Sequence, residues 1–194
     1  MNKEPSLGEF QTAIAQWAET PLEYLVINFL WAADHSLWQT HHTMVGGTPQ
    51  SVVEFLGTPT IFQDLVRQLV IIARFAGVNL EEAVWQKFPD ICPYCGRKPC
   101  ECAEKKSSPH EELSVPKSRS FTADELRVML AEIYPPARAR DKEYFYFQGK
   151  IIEEAHEVLE VLRSPEHRER EDELADLFAR VAEVATVKGI PLAC

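Results

Sequence analysis

Apolar residues recur at helical spacing along most of this chain, and nowhere do they keep to the strict alternation of a half-buried strand. Residues 8–88 read mostly as helix: 8–17 form a short amphipathic start, and 22–38 are a long apolar stretch rich in Leu, Ile, Phe and Trp. Gly46-Gly47-Thr48-Pro49 and Gly57-Thr58-Pro59 interrupt the pattern, as glycine and proline do in helical segments. Phe62, Leu65, Leu69, Ile72, Ala73 and Ala76 then share one helix face that ends near Gly77. Asn79 fits an N-cap, with Glu81 and Glu82 in the first turn of a helix running to Lys87.

The pattern changes at residue 89. Residues 89–102 are a compact cysteine cluster, and 103–119 are polar, contain Lys105-Lys106-Ser107-Ser108-Pro109, and read as a flexible, solvated linker. Helix resumes at Thr122, which makes a capping box with Glu125, and stops at Pro135-Pro136. Two long helical patterns follow, 145–163 and His167–Lys188, separated by Ser164-Pro165, with Gly189 capping the second. The fold class expected is all-α, with a helical half at 1–88, a cysteine knuckle at 89–102, a linker at 103–119 and a second helical half at 120–194. The halves are weakly alike: setting Gly77 against Gly189 pairs Val78 with Ile190 and Leu80 with Leu192, which suggests a duplicated helical unit.

Composition narrows the function classes. The 194 residues suit one ordinary domain or two small ones, and 45% hydrophobic residues are enough to bury a core. With 20 Lys+Arg against 30 Asp+Glu, the net charge of −10 argues against a nucleic acid polymer as partner, which would call for a basic face. Met1-Asn2-Lys3-Glu4-Pro5-Ser6 is followed by no apolar signal core, and the greasiest stretches, 24–33 and 69–73, fall short of the ~20 residues of a membrane span. A soluble, cytoplasmic protein with no membrane partner is expected.

Carboxylates carry the most informative pattern. On a helical wheel, at about 100° per residue, Ile151, Ala155, Val158, Leu159 and Leu162 form the buried stripe. Glu154 sits at its edge, with Glu157 about one 60° step beyond. The next helix repeats this phase, with Leu174, Leu177, Phe178 and Val181 as stripe, Glu173 at the edge and Asp176 beyond. Packed as an antiparallel hairpin, the helices would bring two carboxylate pairs together, and such a group repels itself unless a cation neutralises it. Hard oxygen ligands of this kind suit Mg²⁺ or Mn²⁺, and protein-bound magnesium commonly also holds substrate phosphates. The same acids also fit a solvated helix face, paired with Arg163, Arg168, Arg170 and Arg180.

Glu153-Glu154-x-x-Glu157, followed after fifteen residues by Glu173-x-x-Asp176, resembles the E-E-x-x-E … E-x-x-D signature of the MazG-like all-α nucleoside triphosphate pyrophosphohydrolases. Residues 126–134 resemble the leading helix of that family, Glu173-Leu174-Ala175-Asp176-Leu177-Phe178 its E-L-A-D-hydrophobic run, and Gly189-Ile190-Pro191-Leu192 its G-I-x-L ending. The likeness covers about residues 121–192. Residues 73–102 also look like a tail found in MazG-like relatives, in which a G-I-x-L-x-E-A-V helix, here Gly77 to Val84, runs into a cysteine-rich element. The resemblance implies a MazG-like bundle with a divergent first copy, in which Ile61 and Asp64 stand where Glu173 and Asp176 do in the second.

The activity implied is Mg²⁺-dependent cleavage between the α- and β-phosphates of a nucleoside triphosphate, standard or non-standard, giving a monophosphate and pyrophosphate. Glu154, Glu157, Glu173 and Asp176 would hold the metal; Glu153 would be a base or a supporting carboxylate. Lys150 would neutralise phosphate charge or pair with an acid one turn away; Arg180 favours the ion pair. Tyr144, Phe145, Tyr146 and Phe147 would stack a nucleobase or pack in the core, and Trp31, Trp38, His41 and His42 would lie in the core or on the surface, or close the pocket from the other side. The family implies dimeric bundles, for which a duplicated chain could supply both halves internally, or the aromatics of 22–38 a homodimer seam. Glu153-x-x-His156 matches half of a di-iron site, but this half of the chain has no second Glu-x-x-His, and His156 falls on the polar side.

Cys92, Cys95, Cys100 and Cys102 lie within eleven residues. Their spacing suits a closed, structural Zn²⁺ site, with Pro93 and Gly96 shaping the knuckle and a reducing cytoplasm disfavouring disulfides. His110 could stand in as a ligand, and Cys194 is expected to be a bystander. The alternative function is a non-enzymatic, zinc-stabilised helical module that binds a protein partner; a related enzyme acting on a phosphoribosylated or deoxyuridine nucleotide would share the same metal site.

Overall fold

A computed structural model describes residues 6–9, 29, 59–102, 120–135, 144–162 and 167–192. Five helices can be followed: α1 (Pro59–Phe75), α2 (Leu80–Lys87), α3 (Ala123–Ile133), α4 (Tyr144–Val161) and α5 (His167–Lys188). A further helical start at 7–9 is capped reciprocally, Ser6 N–H donating to Glu9 and Glu9 N–H to the Ser6 hydroxyl. No strand occurs among the described residues, so what is described of the chain is all-α. The expected linker at 103–119, the segment 22–38 apart from the fully buried Phe29, and Trp31, Trp38, His41, His42, His110 and Cys194 lie outside the described residues.

The helix α5 is the hub, packing against α1, α2, α3 and α4. Its sequence explains why. Leu174, Ala175, Leu177, Phe178, Val181, Ala182 and Ala185 are all fully buried, a wider face than the single stripe of a surface helix. The small Ala175, Ala182 and Ala185 leave room for neighbours on several sides. Phe62, Leu65, Leu69 and Ile72 of α1 and Leu126, Leu130 and Ile133 of α3 join the same core, so the described residues of both expected halves bury apolar surface together.

Local sequence sets the helix ends. Pro59, the last residue of the Gly57-Thr58-Pro59 break, is the first described residue of α1, and a first helical turn tolerates its missing N–H. Asn79 caps α2 by accepting from Glu82 N–H, and Thr122 with Glu125 forms the full capping box of α3. Gly77 and Gly189 both adopt left-handed φ, at 73° and 68°. They end α1 and α5 in the same way, with Val78 N–H donating to Ala73 C=O and Ile190 N–H to Ala185 C=O, both at 2.8 Å. This is the Schellman arrangement, completed by an apolar residue just past the glycine; Val78 and Ile190 are buried.

One carboxylate ties distant segments together. Glu81, 8% exposed, accepts the Gly8 N–H at 2.7 Å and the Phe121 N–H at 2.8 Å, while Leu7 N–H donates to Phe121 C=O. The Trp85 ring packs on Phe121 with centroids 5.0 Å apart. Replacing Glu81 with Ala strands two backbone donors and should cost about 3 kcal/mol, since hydrogen bonds to charged groups are worth ~1.5–3 kcal/mol each. A urea-denaturation midpoint measures it; a change below ~1 kcal/mol would mean that water replaces the carboxylate.

Candidate functional site

The packing of α4 on α5 gathers three of the expected metal ligands. Glu154, beside Ala155 in the buried stripe of α4, is 7% exposed. Its carboxylate, that of the more exposed Glu157 and that of Glu173 on α5 each offer an oxygen, and these oxygens lie within 4.8 Å of one another. Asp176, one turn beyond Glu173, turns toward α2 instead: the Lys87 ammonium donates to its Oδ2 at 2.6 Å and to the Asp172 carbonyl at 3.0 Å. Asp176 still lies close enough for its charge to raise the pKa values of Glu154 and Glu173.

Electrostatics at this group follow from crowding and partial burial. Burial pushes the Glu173 carboxyl from 4.5 up to about 7; Lys87 opposes the rise, and Asp176, Glu157 and Glu154 add to it. Glu154 is raised by burial as well, against the pull of Arg180, whose Nε donates to Glu154 Oε1 at 3.0 Å and whose other arm reaches Glu183 at 3.1 Å. Burial lowers the Arg180 pKa, but these two acids outweigh it and raise it overall. Burial, with the neighbouring acids adding to it, thus disfavours the charged forms of Glu154 and Glu173.

A pH dependence follows. The folded metal-free protein binds a proton at Glu173 more tightly than the unfolded chain does, so this group favours the fold fully below pH 4.5 and loses that contribution as pH rises through about 7. The melting temperature of wild type relative to Glu173→Gln should therefore fall between pH 5 and 8 without divalent ions. Added Mg²⁺ should restore it at pH 8 and do little at pH 5, where the proton competes. Parallel melting curves for the two proteins across that range would contradict this.

Lys150 pairs with Glu153 on the exposed side of α4, so in this state each has the other as partner. Arg180 makes the ion pairs described above. His156 is exposed, its Nδ1 2.8 Å from the Ile152 carbonyl one turn back. Tyr146 is 41% exposed; Phe147 lies on α4, with its side chain outside the described residues. Asp64, the counterpart of Asp176 by the Gly77/Gly189 offset, is a surface residue paired with Arg67 at 3.2 Å.

Lys87 was legible only as the end of a helix. Basic residues in a last helical turn are common because they complement the helix dipole, and that ordinary role masked a contact spanning 89 positions.

The second metal-capable group is the cysteine cluster. One sulfur from each of Cys92, Cys95, Cys100 and Cys102 lies within 4.8 Å of the others, with Cys92 and Cys102 Sγ 3.7 Å apart and no disulfide formed. The loop is built to converge: Gly96, at left-handed φ 65°, donates its N–H to Cys92 C=O, and Cys92 N–H donates to Arg97 C=O. Cys100 N–H donates to Ile133 C=O at 2.7 Å, which seats the second pair on the C-terminal end of α3. Lys98 bridges Asp90 and Glu132, and the Tyr134 hydroxyl lies 3.7 Å from Cys92 Sγ. Backbone donors at Glu101 and Arg97 pull the Cys95 thiol down to about 6, while burial and neighbouring sulfurs push Cys102 up to about 12.

Compared with known proteins, the chain matches no family model, no curated protein and no solved structure. No helix among the described residues is long and apolar enough to cross a membrane.

Proposed function

We propose that the protein is a Mg²⁺-dependent nucleoside triphosphate pyrophosphohydrolase of MazG-like type, cleaving its substrate with water to a nucleoside monophosphate and pyrophosphate. The observation that carries this reading is the convergence of Glu154, Glu157 and Glu173 from two helices onto one spot, with Glu154 buried. Burying a carboxylate among like charges is costly unless a cation offsets it, and an all-oxygen donor set fits Mg²⁺ or Mn²⁺. Asp176 completes the set once it parts from Lys87.

When bound, the ion would neutralise phosphate charge and lower the pKa of an attacking water. The residues of the chain do the rest. Arg180 holds the Glu154 carboxylate in place through its Nε. Glu153 and Lys150, paired on the exposed side of α4, would supply a base and a phosphate-binding cation. Phe147, on α4, is the residue proposed to stack the nucleobase.

Zn²⁺ is proposed for the cysteine cluster. Zn–S bonds of about 2.3 Å in a tetrahedron place sulfurs ~3.8 Å apart, close to the 3.7 Å between Cys92 and Cys102. Four protein ligands make it a closed, structural site. The matched helix ends at Gly77 and Gly189 support a pseudo-duplicated bundle, and α1 and α2 meeting α5 supports pairing of the two halves within one chain, with a homodimer as the other arrangement. The competing function, a zinc-stabilised helical interaction module, draws on the ion pairs that already offset part of the acidic charge.

The test is turnover by metal-stripped protein on ordinary and modified nucleoside triphosphates, with and without Mg²⁺ or Mn²⁺. Metal-dependent pyrophosphate with monophosphate supports the proposal. Orthophosphate with a diphosphate would overturn α–β cleavage, and no product from folded protein would favour the interaction module.

A further inference from the structure

Resting on the metal-site reading, we propose that Lys87 is a built-in counter-ion of the acidic group: a divalent cation displaces it from Asp176, and its freed ammonium then takes a phosphate oxygen of the substrate. Its Nζ sits between Asp176 Oδ2 and the Asp172 carbonyl, two oxygens of the kind a hard cation would take. This is no peripheral surface pair. Lys87 is 19% and Asp176 33% exposed at the side chain, and the charges of both are felt at Glu173, which belongs to the three-carboxylate group.

The backbone under Lys87 is fixed while its side chain can move. Buried Leu80, Ala83, Val84 and Trp85 anchor α2, and Phe88 N–H closes its last turn on Val84 C=O. Four methylenes then separate a fixed Cα from the ammonium, so the head can shift without moving the helix. A metal and an ammonium compete for the charge of Asp176, so each weakens the hold of the other. Once displaced, a compact ammonium beside bound metal suits a phosphate oxygen. Tyr94, from the cysteine loop, borders the same place: burial and the Asp176 charge raise its pKa, and Lys87 lowers it.

The experiment uses Lys87→Met and Lys87→Arg in the full chain, with folding checked by circular dichroism. Mn²⁺ binding without nucleotide is followed by electron paramagnetic resonance, and inorganic tripolyphosphate binding is then measured with Mn²⁺ present. Lys87→Met should bind Mn²⁺ about tenfold more tightly, within the usual range of couplings between sites. It should also bind tripolyphosphate about tenfold more weakly. Lys87→Arg should recover tripolyphosphate binding. Unchanged or weaker Mn²⁺ binding in folded Lys87→Met overturns the displacement, and unchanged tripolyphosphate binding overturns the phosphate role. If Lys87→Met shows both predicted effects yet wild type turns over no nucleoside triphosphate, the proposed activity fails while the role of Lys87 stands. If wild type binds no Mn²⁺, both fail.

Discussion

Glu154→Gln and Glu173→Gln should each reduce metal-dependent turnover by more than about 100-fold, the upper end of what losing even a ligand's supporting partner costs a metal site. Asp176→Asn should do the same if that carboxylate joins the metal after leaving Lys87. These amides keep the shape of the side chains, and in Glu154→Gln the amide oxygen can still accept from Arg180, so the fold should survive. Because burial disfavours the Glu173 carboxylate and raises its pKa to about 7, Glu173→Gln should be at least as stable as wild type at pH 8 without metal. Lost activity with retained or increased stability is the mark of a residue kept for function. Steady-state rates beside melting curves read both quantities. Variants of near wild-type activity would return these acids to an ordinary solvated helix face.

The second large effect concerns the cysteines. Stripping metal with a strong chelator should lower the melting temperature markedly, because the four sulfurs of residues 89–102 converge with no disulfide to hold them together. Structural zinc contributes about 10–16 kcal/mol to isolated zinc-finger peptides; here most of the core lies elsewhere, and a loss of about 3 kcal/mol or more is expected. Cys92→Ser should cost more than Cys102→Ser, since Cys92 is fully buried and lies beside the Tyr134 hydroxyl, while Cys102 is half-buried. One zinc per chain by elemental analysis, lost in Cys92→Ser, would accompany this. Metal-free protein as purified, unmoved by chelator, would contradict it.

Much of the described fold was legible in the sequence because it is set locally. The caps at Asn79 and Thr122, the glycine stop at 189 and the apolar stripe of α5 all depend on residues within a turn or two of one another. The cysteine cluster was legible for the same reason: its four sulfurs come from one short loop.

The acidic site was legible only in part. A helical wheel places Glu154 and Glu173 at the edge of their apolar stripes, and the structure brings them together with Glu157. The wheel gives the angle of Asp176 from its own stripe, but not which helix lies on that side. Here α2 does, and it brings Lys87. The Glu81 link to Gly8 and Phe121 escaped for the same reason, because its partners are 73 and 40 positions away. Acids in a first helical turn and lysines in a last one are so common on dipole grounds alone that neither residue advertises a tertiary role.

The most direct test of the central claim needs no knowledge of the substrate. Mn²⁺ titrated into zinc-loaded wild type at pH 8, followed by electron paramagnetic resonance, should show saturable binding that Glu173→Gln abolishes and that weakens as pH falls below about 7. Binding that is absent in wild type, or unchanged in Glu173→Gln, would contradict a metal centre built on Glu154, Glu157 and Glu173.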